Sequence, residues 1–570
     1  MIRSFNARQK QSALIIVSLV TSGSLLFLVY VHYLQSFGFS LKRALVGAFA
    51  YIILFCIVYF VARNLLRKCF ANDGLLFTKS IGFWMLISLL FAPHILPTPH
   101  YPVSPLFQPM SEIVITFKFP EDAAQQVQLK GIWLSFDGKK YSSSDFVLSE
   151  NWDESSGKFF IEPNEKGSLI WRGKIGERAK LTIFPMDVVA EVSVLWDGEL
   201  RTELLKDNSV LFSKKSSTPF GYYISITLAS ILAAGFILFV LFNWLALVDL
   251  PQRRTLYIVA FLVTTSLLLV YAHFQSPDIT DKIKLQINYH ETVLAGRAPS
   301  PWQYRLLSEW LLEGLIHLTS LFKAENPFYF AALILRIAQN ILIYFLAFLY
   351  FRALGFSRET ALVGILFLTG SMLNSFFKSG FSFNTYFDLI FYLGAGLLIL
   401  NRSFSWLPMI MVAAALNRET SGLIPFLAFS SLVDVKDRRF GFLFISLSFF
   451  CWGGVFVILR ILYPDAELFI PYERPPGIPL LLYNLFPLNL DLLFRFFGII
   501  PLLGLLVIRQ WKPVLARFFV VLIPIWFGVH LFASVITETR LFLVPQAMVF
   551  IPLFLLFVDR LKGFFIKQTR

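Results

Sequence analysis

Residues 221–245 read GYYISITLASILAAGFILFVLFNWL, a run with no charged side chain. As a helix rising 1.5 Å per residue it is about 37 Å long, enough to cross a ~30 Å hydrocarbon core. Helix is the form such a run takes in lipid, because every backbone N–H and C=O then finds a partner inside the segment. Comparable runs lie before it, near 12–32, 44–62 and 76–97, and after it, near 255–274, 328–350, 360–377, 384–400, 441–462, 490–508, 516–535 and 541–558. The composition agrees: 56% of the 570 residues are hydrophobic, 64 are Phe, the mean hydropathy is +0.67, and only 15% are charged. A soluble domain carries about 25% charged residues. The chain therefore reads as a polytopic α-helical membrane protein with 12–14 membrane helices. Residues 101–218 alone escape the pattern, which divides the chain into N-terminal membrane helices (1–100), an inserted domain (101–218) and a larger membrane core (219–570).

The net charge of +14 is held in loops. Lys and Arg gather at Arg3, Arg8 and Lys10, at Arg63, Arg67 and Lys68, at Arg253 and Arg254, and at Arg352 and Arg358. They gather again at Lys436, Arg438 and Arg439, at Arg509, Lys512 and Arg517, and at Arg560, Lys562, Lys567 and Arg570. Positive loops face the cytoplasm, so this distribution predicts both termini inside and the inserted domain extracytoplasmic, and it gives no reason to expect nucleic acid as a partner. A bacterial inner (plasma) membrane fits the same bias. Residues 403–433 lie between two positive signals, Arg402 and the Lys436–Arg439 run. One crossing there would put a signal on the wrong side, so two short helices are expected, meeting at Asn417, Arg418, Glu419 and Thr420.

The inserted domain reads as β. Ile113–Phe119, Gly131–Phe136, Lys158–Glu162, Lys180–Phe184 and Val192–Trp196 are short, β-branched or aromatic, and are punctuated by Asp137-Gly138 and Asp197-Gly198. A β-sandwich follows. Trp133, Trp171 and Trp196 either fill its core, as large aromatics usually do, or stack on a glycan. A glycan or a protein is the partner such a domain would take. The first apolar run lacks a signal-peptide cleavage site and is read as a retained helix. Cys56, Cys69 and Cys451 fall in or beside spans, so neither a disulfide framework nor a metal cluster is legible.

Chemistry points to the long outer loop 275–326, QSPDITDKIKLQINYHETVLAGRAPSPWQYRLLSEWLLEGLIHLTSLFKAEN, too polar to cross and patterned for helices lying along the membrane surface. Asp278 and Asp281 follow the membrane exit. His290, Glu291, Arg297, Tyr304 and Arg305 come next. Two more polar clusters reach the same face: Asn417-Arg418-Glu419-Thr420, and Glu538-Thr539-Arg540 at the start of the last span. Asn384 and Asp388 are one helical turn apart and share a face. Ionisable groups at membrane depth are costly, so such clusters carry a functional expectation, against the plainer one that Arg418 and Glu419 pair to stabilise the helix break.

This layout resembles the GT-C superfamily of polyprenyl-phosphate-dependent membrane glycosyltransferases over about residues 250–560. The likeness lies in an acidic residue beyond an outward span (Asp278 or Asp281), surface-lying helices in a long loop, short broken helices at Asn417–Thr420, and outer-face arginines. Two features depart from it: three spans, the β domain and a fourth span precede the loop, and two residues separate Asp278 from Asp281. The resemblance implies inverting transfer of a sugar from a polyprenyl-phosphate donor to an acceptor at the outer face. Asp278 would be the base, with Asp281 second, and Arg305, Arg418 and Arg540 would hold the phosphate. The remaining polar residues named above would line the substrate site. It implies no fixed cofactor and leaves a divalent metal open. The residues themselves also leave open a lipid or polysaccharide transporter or flippase, and a non-catalytic membrane subunit with a binding β domain.

Overall fold

The computed structural model describes residues 7–30, 41–70, 74–95, 108, 110–119, 127–129, 131–136, 139–148, 152–155, 158–161, 168–175, 178–184, 189–206, 209–215, 220–246, 251–274, 279–322, 326–375, 380–434, 438–470 and 474–565. Three helices come first: α1 (Ala7–Val29), α2 (Leu41–Cys69) and α3 (Gly74–Ile95). Twelve strands follow: β1 (Met110–Lys118), β2 (Val127–Leu129), β3 (Ile132–Phe136), β4 (Lys139–Tyr141), β5 (Val147–Leu148), β6 (Trp152–Ser155), β7 (Lys158–Ile161), β8 (Ser168–Lys174), β9 (Arg178–Ile183), β10 (Ala190–Trp196), β11 (Glu199–Leu205) and β12 (Val210–Lys215). Helices resume with α4 (Phe220–Ala246), α5 (Pro251–Phe274), α6 (Ile279–Leu294), α7 (Leu306–Leu321), α8 (Pro327–Ala353), α9 (Arg358–Asn374) and α10 (Phe383–Leu400). After these come α11 (Leu407–Asn417), α12 (Ile424–Ser431), α13 (Arg438–Leu462), α14 (Ile478–Asn484), α15 (Pro487–Phe497), α16 (Ile500–Leu505) and α17 (Pro513–Ala533). The last apolar segment, Thr539–Phe565, contains α18 (Leu543–Pro545), a π turn at Gln546–Phe550 and α19 (Ile551–Phe565).

Among the described residues nine helices are long and apolar enough to cross a membrane. Twelve to fourteen were expected, and the difference lies in short or interrupted segments. Residues 490–508, read as one span, are α15 and α16, broken where Gly498 takes φ 57°. The 403–433 stretch is two short helices as expected, with a 3-10 turn at Glu419–Leu423 between them. Prolines at the second helical positions, Pro408 in α11 and Pro425 in α12, start each half, since a first-turn residue needs no intrahelical N–H bond.

The chain forms two compact units, residues 6–63 with 96–234, and residues 64–95 with 235–570 plus the extreme N-terminus; α2 and α4 contribute to both. In the first unit, antiparallel sheets ordered β11-β10-β1-β8-β5 and β12-β9-β3-β4 feed a single apolar cluster, the arrangement of a sandwich. A third sheet is ordered β2-β7-β6. Ile113, Ile115 and Phe117 of β1, Ile132 and Leu134 of β3, and Val192, Val194 and Trp196 of β10 alternate inward to build that core. Trp171 and Trp196 belong to it, whereas Trp133 is 48% exposed against Phe184. The Asp197-Gly198 turn joining β10 and β11 has positive φ at both positions, 47° and 84°, as a two-residue hairpin requires. Asp197 also accepts bonds from Ser111 Oγ (2.8 Å) and Glu112 N (2.8 Å) and pairs with Lys214 Nζ (3.2 Å). Partial burial alone would raise its pKa, but these partners outweigh burial and hold it below the ordinary value. The Asp137-Gly138 turn and part of the Lys158–Glu162 strand lie outside the described residues.

Candidate functional site

The polar residues of the second unit concentrate at the break between α11 and α12. Backbone groups there are satisfied locally: Arg418 N donates to Ala414 O (2.8 Å) and Ser421 Oγ to Arg418 O (2.7 Å). Arg418 itself is extended, φ −164° and ψ 140°, and this turns the chain out of α11. The face of α10 carrying Thr385, Asp388 and Tyr392 packs against this break. Arg418 Nη1 lies 3.7 Å from Asp388 Oδ2 and donates to Thr385 Oγ1 (3.5 Å). Thr420 Oγ1 donates to Asp388 Oδ2 (3.2 Å), and Tyr392 OH to Thr420 O (2.7 Å). Asn384 meets the break through its backbone, accepting from Asn417 Nδ2 (2.8 Å).

The 275–326 loop reaches the same place. Tyr304 ends a 3-10 turn at Trp302–Tyr304, and Arg305 follows as the residue preceding α7. Gln303 fixes the turn by accepting from Ala298 N (2.8 Å) and donating to Val293 O (3.0 Å). Arg305 is thereby held against Glu419, with Nη2–Oε1 at 2.6 Å and Nε–Oε2 at 3.4 Å, a bidentate pair. Tyr304 packs under the Arg460 guanidinium, 4.4 Å from its ring centre. Arg540 pairs with Glu538 at 2.7 Å and lies within electrostatic range of Arg418 and of the Tyr289 hydroxyl. Of the three clusters singled out in the sequence, the first reaches the break directly through Arg305, and the third lies within electrostatic range of it through Arg540.

Other candidates do not join them. Asp278 lies outside the described residues. Asp281 is exposed in the first turn of α6, nine residues before His290 and so about 13 Å away along the helix. Glu291 and Arg297 are exposed. His290 is buried, its two ring nitrogens occupied by Glu309 (2.8 Å) and Glu313 (2.9 Å). Burial alone would lower its pKa, yet the two carboxylates outweigh burial and raise it.

Several residues were missed. Glu309 and Glu313 stand one turn apart on α7, a spacing visible in the sequence, but their partner sits on another helix. Arg336 is fully buried on α8, stacked 3.8 Å over Tyr386 and bonded to the Phe381 carbonyl. It is the lone charge in its span, which is the signal that could have found it. His530, also buried, lines an apolar cavity of about 450 Å³ between α12, α13 and α17. Phe426, Phe449, Trp452, Phe456 and Val529 line the cavity, and Glu419 and Thr420 also border it. Among the described residues no three or more His, Cys, Asp or Glu side chains group to hold a metal ion.

Four polar atoms in and beside the break are buried without a hydrogen-bond partner: Arg418 Nε, Asp388 Oδ1, Asn417 Oδ1 and Arg540 Nε. Buried polar groups are almost always paired, so these are the atoms a bound polar group or water would satisfy. Set against known protein families, characterised proteins and solved structures, the chain matches none.

Proposed function

We propose that the chain is a membrane glycosyltransferase that moves a sugar from a polyprenyl-phosphate donor to an acceptor at the outer face of the membrane. The observation that carries this reading is the joining of a charged break to an apolar cavity. Glu419 and Thr420 belong to both, so an amphiphile with its hydrocarbon chain among Phe426, Trp452 and Phe456 would carry its headgroup toward the break that holds Arg418. Arg418 is only loosely held by Asp388 at 3.7 Å and keeps Nε free, as a phosphate-binding guanidinium should. Arg540 adds a second free Nε. A carboxylate of the outer loop, Asp278 first and Asp281 second, takes the proton of the attacking acceptor hydroxyl while the guanidinium groups receive the lipid phosphate as it leaves. The β domain, extracytoplasmic in this reading, places the acceptor, and both termini are cytoplasmic in a bacterial inner membrane.

Purified protein in lipid nanodiscs, supplied with a radiolabelled polyprenyl-phosphate sugar and candidate acceptors, should release the lipid phosphate and label the acceptor. A second reading, a lipid or polysaccharide flippase, draws support from the second interrupted helix at Gly498, since paired broken helices are a transporter feature. Movement of intact donor between leaflets of proteoliposomes, with the sugar–phosphate bond uncut, would establish that reading and end the first.

A further inference from the structure

The geometry points to a proton relay in which His317, Glu313, His290 and Glu309 form one hydrogen-bonded line carrying protons between water and the buried Glu309 carboxylate. The contacts are continuous. Glu309 Oε2 meets His290 Nδ1 at 2.8 Å, His290 Nε2 meets Glu313 Oε2 at 2.9 Å, and Glu313 Oε1 meets His317 Nε2 at 2.9 Å. Exposure falls steadily along it, from 76% for the His317 side chain through 35% and 6% to 1% for Glu309. Glu309, Glu313 and His317 repeat every four residues on one face of α7, and α6 lowers His290 between the two carboxylates. On α8 the imidazole faces Phe328, which has no titratable group, so the α7 carboxylates are the titratable groups its ring nitrogens meet.

A structural clamp would need only the imidazole between two carboxylates. The line continues instead to a second imidazole in water, whose exposed pairing with Glu313 adds little stability. At the inner end, Ser308 Oγ donates to Glu309 Oε1 (3.1 Å), and the buried, unpartnered Tyr289 hydroxyl lies within electrostatic range of Glu309, Arg305, Glu419 and Arg540. In one transit, protonated Glu309 gives its proton to His290 Nδ1 as the Nε2 proton passes to Oε2 of Glu313; the Glu313 carboxyl turns to present that proton to His317 Nε2, His317 releases a proton to water, and His290 returns to its Nε2–H tautomer before the next transit. Only O–H and N–H bonds change, and one proton leaves. The use of the relay rests on the proposed function: transfer to a hydroxyl releases a proton, and this line is an outlet for it. Glu309, His290 and Glu313 are in that sense positioning residues, not groups that touch the sugar.

The test uses the full chain in nanodiscs with 15N-labelled histidine, reading exchange of the His290 ring protons with water by NMR, with the resonance assigned by His290→Gln. Glu313→Gln should slow that exchange by about tenfold or more, because Gln cannot carry a proton. His317→Ala, at an exposed position that leaves folding intact, should slow it by about threefold. Exchange unchanged or faster in both variants overturns the relay. Turnover of a polyprenyl-phosphate sugar is the second readout: Glu313→Gln should lower kcat with KM unchanged, and added imidazole should restore part of the loss. If exchange slows as expected but the unaltered protein turns over no donor, the transferase reading fails and the relay stands. If donor is consumed while exchange is insensitive to both substitutions, the relay fails and the transferase reading stands.

Discussion

Removing both halves of the Arg305–Glu419 pair should destabilise the protein by much less than the sum of the two single removals. At the 2.6 Å separation of Nη2 and Oε1, an effective permittivity of about 20 gives an attraction of about 6 kcal/mol, from which desolvation of each ion subtracts several. Arg305 is the more buried partner, with 9% of its side chain exposed against 29% for Glu419. Glu419→Ala therefore strands a guanidinium and should cost about 3–5 kcal/mol, whereas Arg305→Ala leaves a carboxylate that still reaches water and Arg418 and should cost about 3. The double variant should recover about 2–4 kcal/mol of the summed loss. Reversible unfolding in mixed micelles, followed by Trp fluorescence across the four-member cycle, reads this directly. A coupling under about 0.5 kcal/mol, the value of a solvated surface pair, would refute the claim that this pair holds the 275–326 loop on the helix break. Arg305→Met with Glu419→Leu adds a second arm: the apolar swap should restore stability but not donor binding, which separates the scaffold role from the ligand role.

Replacing Asp278 by Asn should reduce turnover by about 10²-fold or more with little change in donor affinity; if Asp281→Asn alone does this, the base moves to Asp281, and if neither does, the transfer reading loses its proton acceptor. Arg418→Ala should weaken donor binding by about 1.5–3 kcal/mol in a titration with a polyprenyl phosphate, and unchanged binding would remove Arg418 from the site. Because the folded His290 pKa is raised, its stabilising contribution is complete below the unfolded value of about 6.5 and is lost as pH rises through the folded value, so thermal unfolding of the native chain should show a loss above pH ~6.5 that His290→Gln abolishes. In a cysteine-free background, Ser142→Cys should react with an impermeant thiol reagent in intact cells and Ser357→Cys should not; the reverse pattern would invert the proposed orientation.

How much of this was readable in the chain depended on what kind of physical signal each feature leaves. The α11–α12 break was legible because two positive flanks and a central Asn-Arg-Glu-Thr cluster cannot be reconciled with a single crossing. The break at Gly498 was not, because hydropathy reports composition and α15 and α16 are as apolar as an unbroken span; the φ of 57° belongs to one residue and leaves no trace in a window average. The tryptophans show a legible signal left unused. Trp133 stands between buried Ile132 and Leu134 and so points outward, while Trp196 continues the inward series Ala190, Val192 and Val194. The site divides along the same line. Asp388 and Arg418 could be named from the cost of their burial alone, but Glu309 and Glu313 sit on a helix whose exposed flank makes carboxylates unremarkable, and only the approach of His290 from α6 gives them meaning. A charge that a membrane helix must bury announces itself in one dimension, whereas a charge neutralised by a partner nineteen or more positions away is visible only once the chain has folded, and the Arg305–Glu419 pair, 114 residues apart, is the strongest case of it.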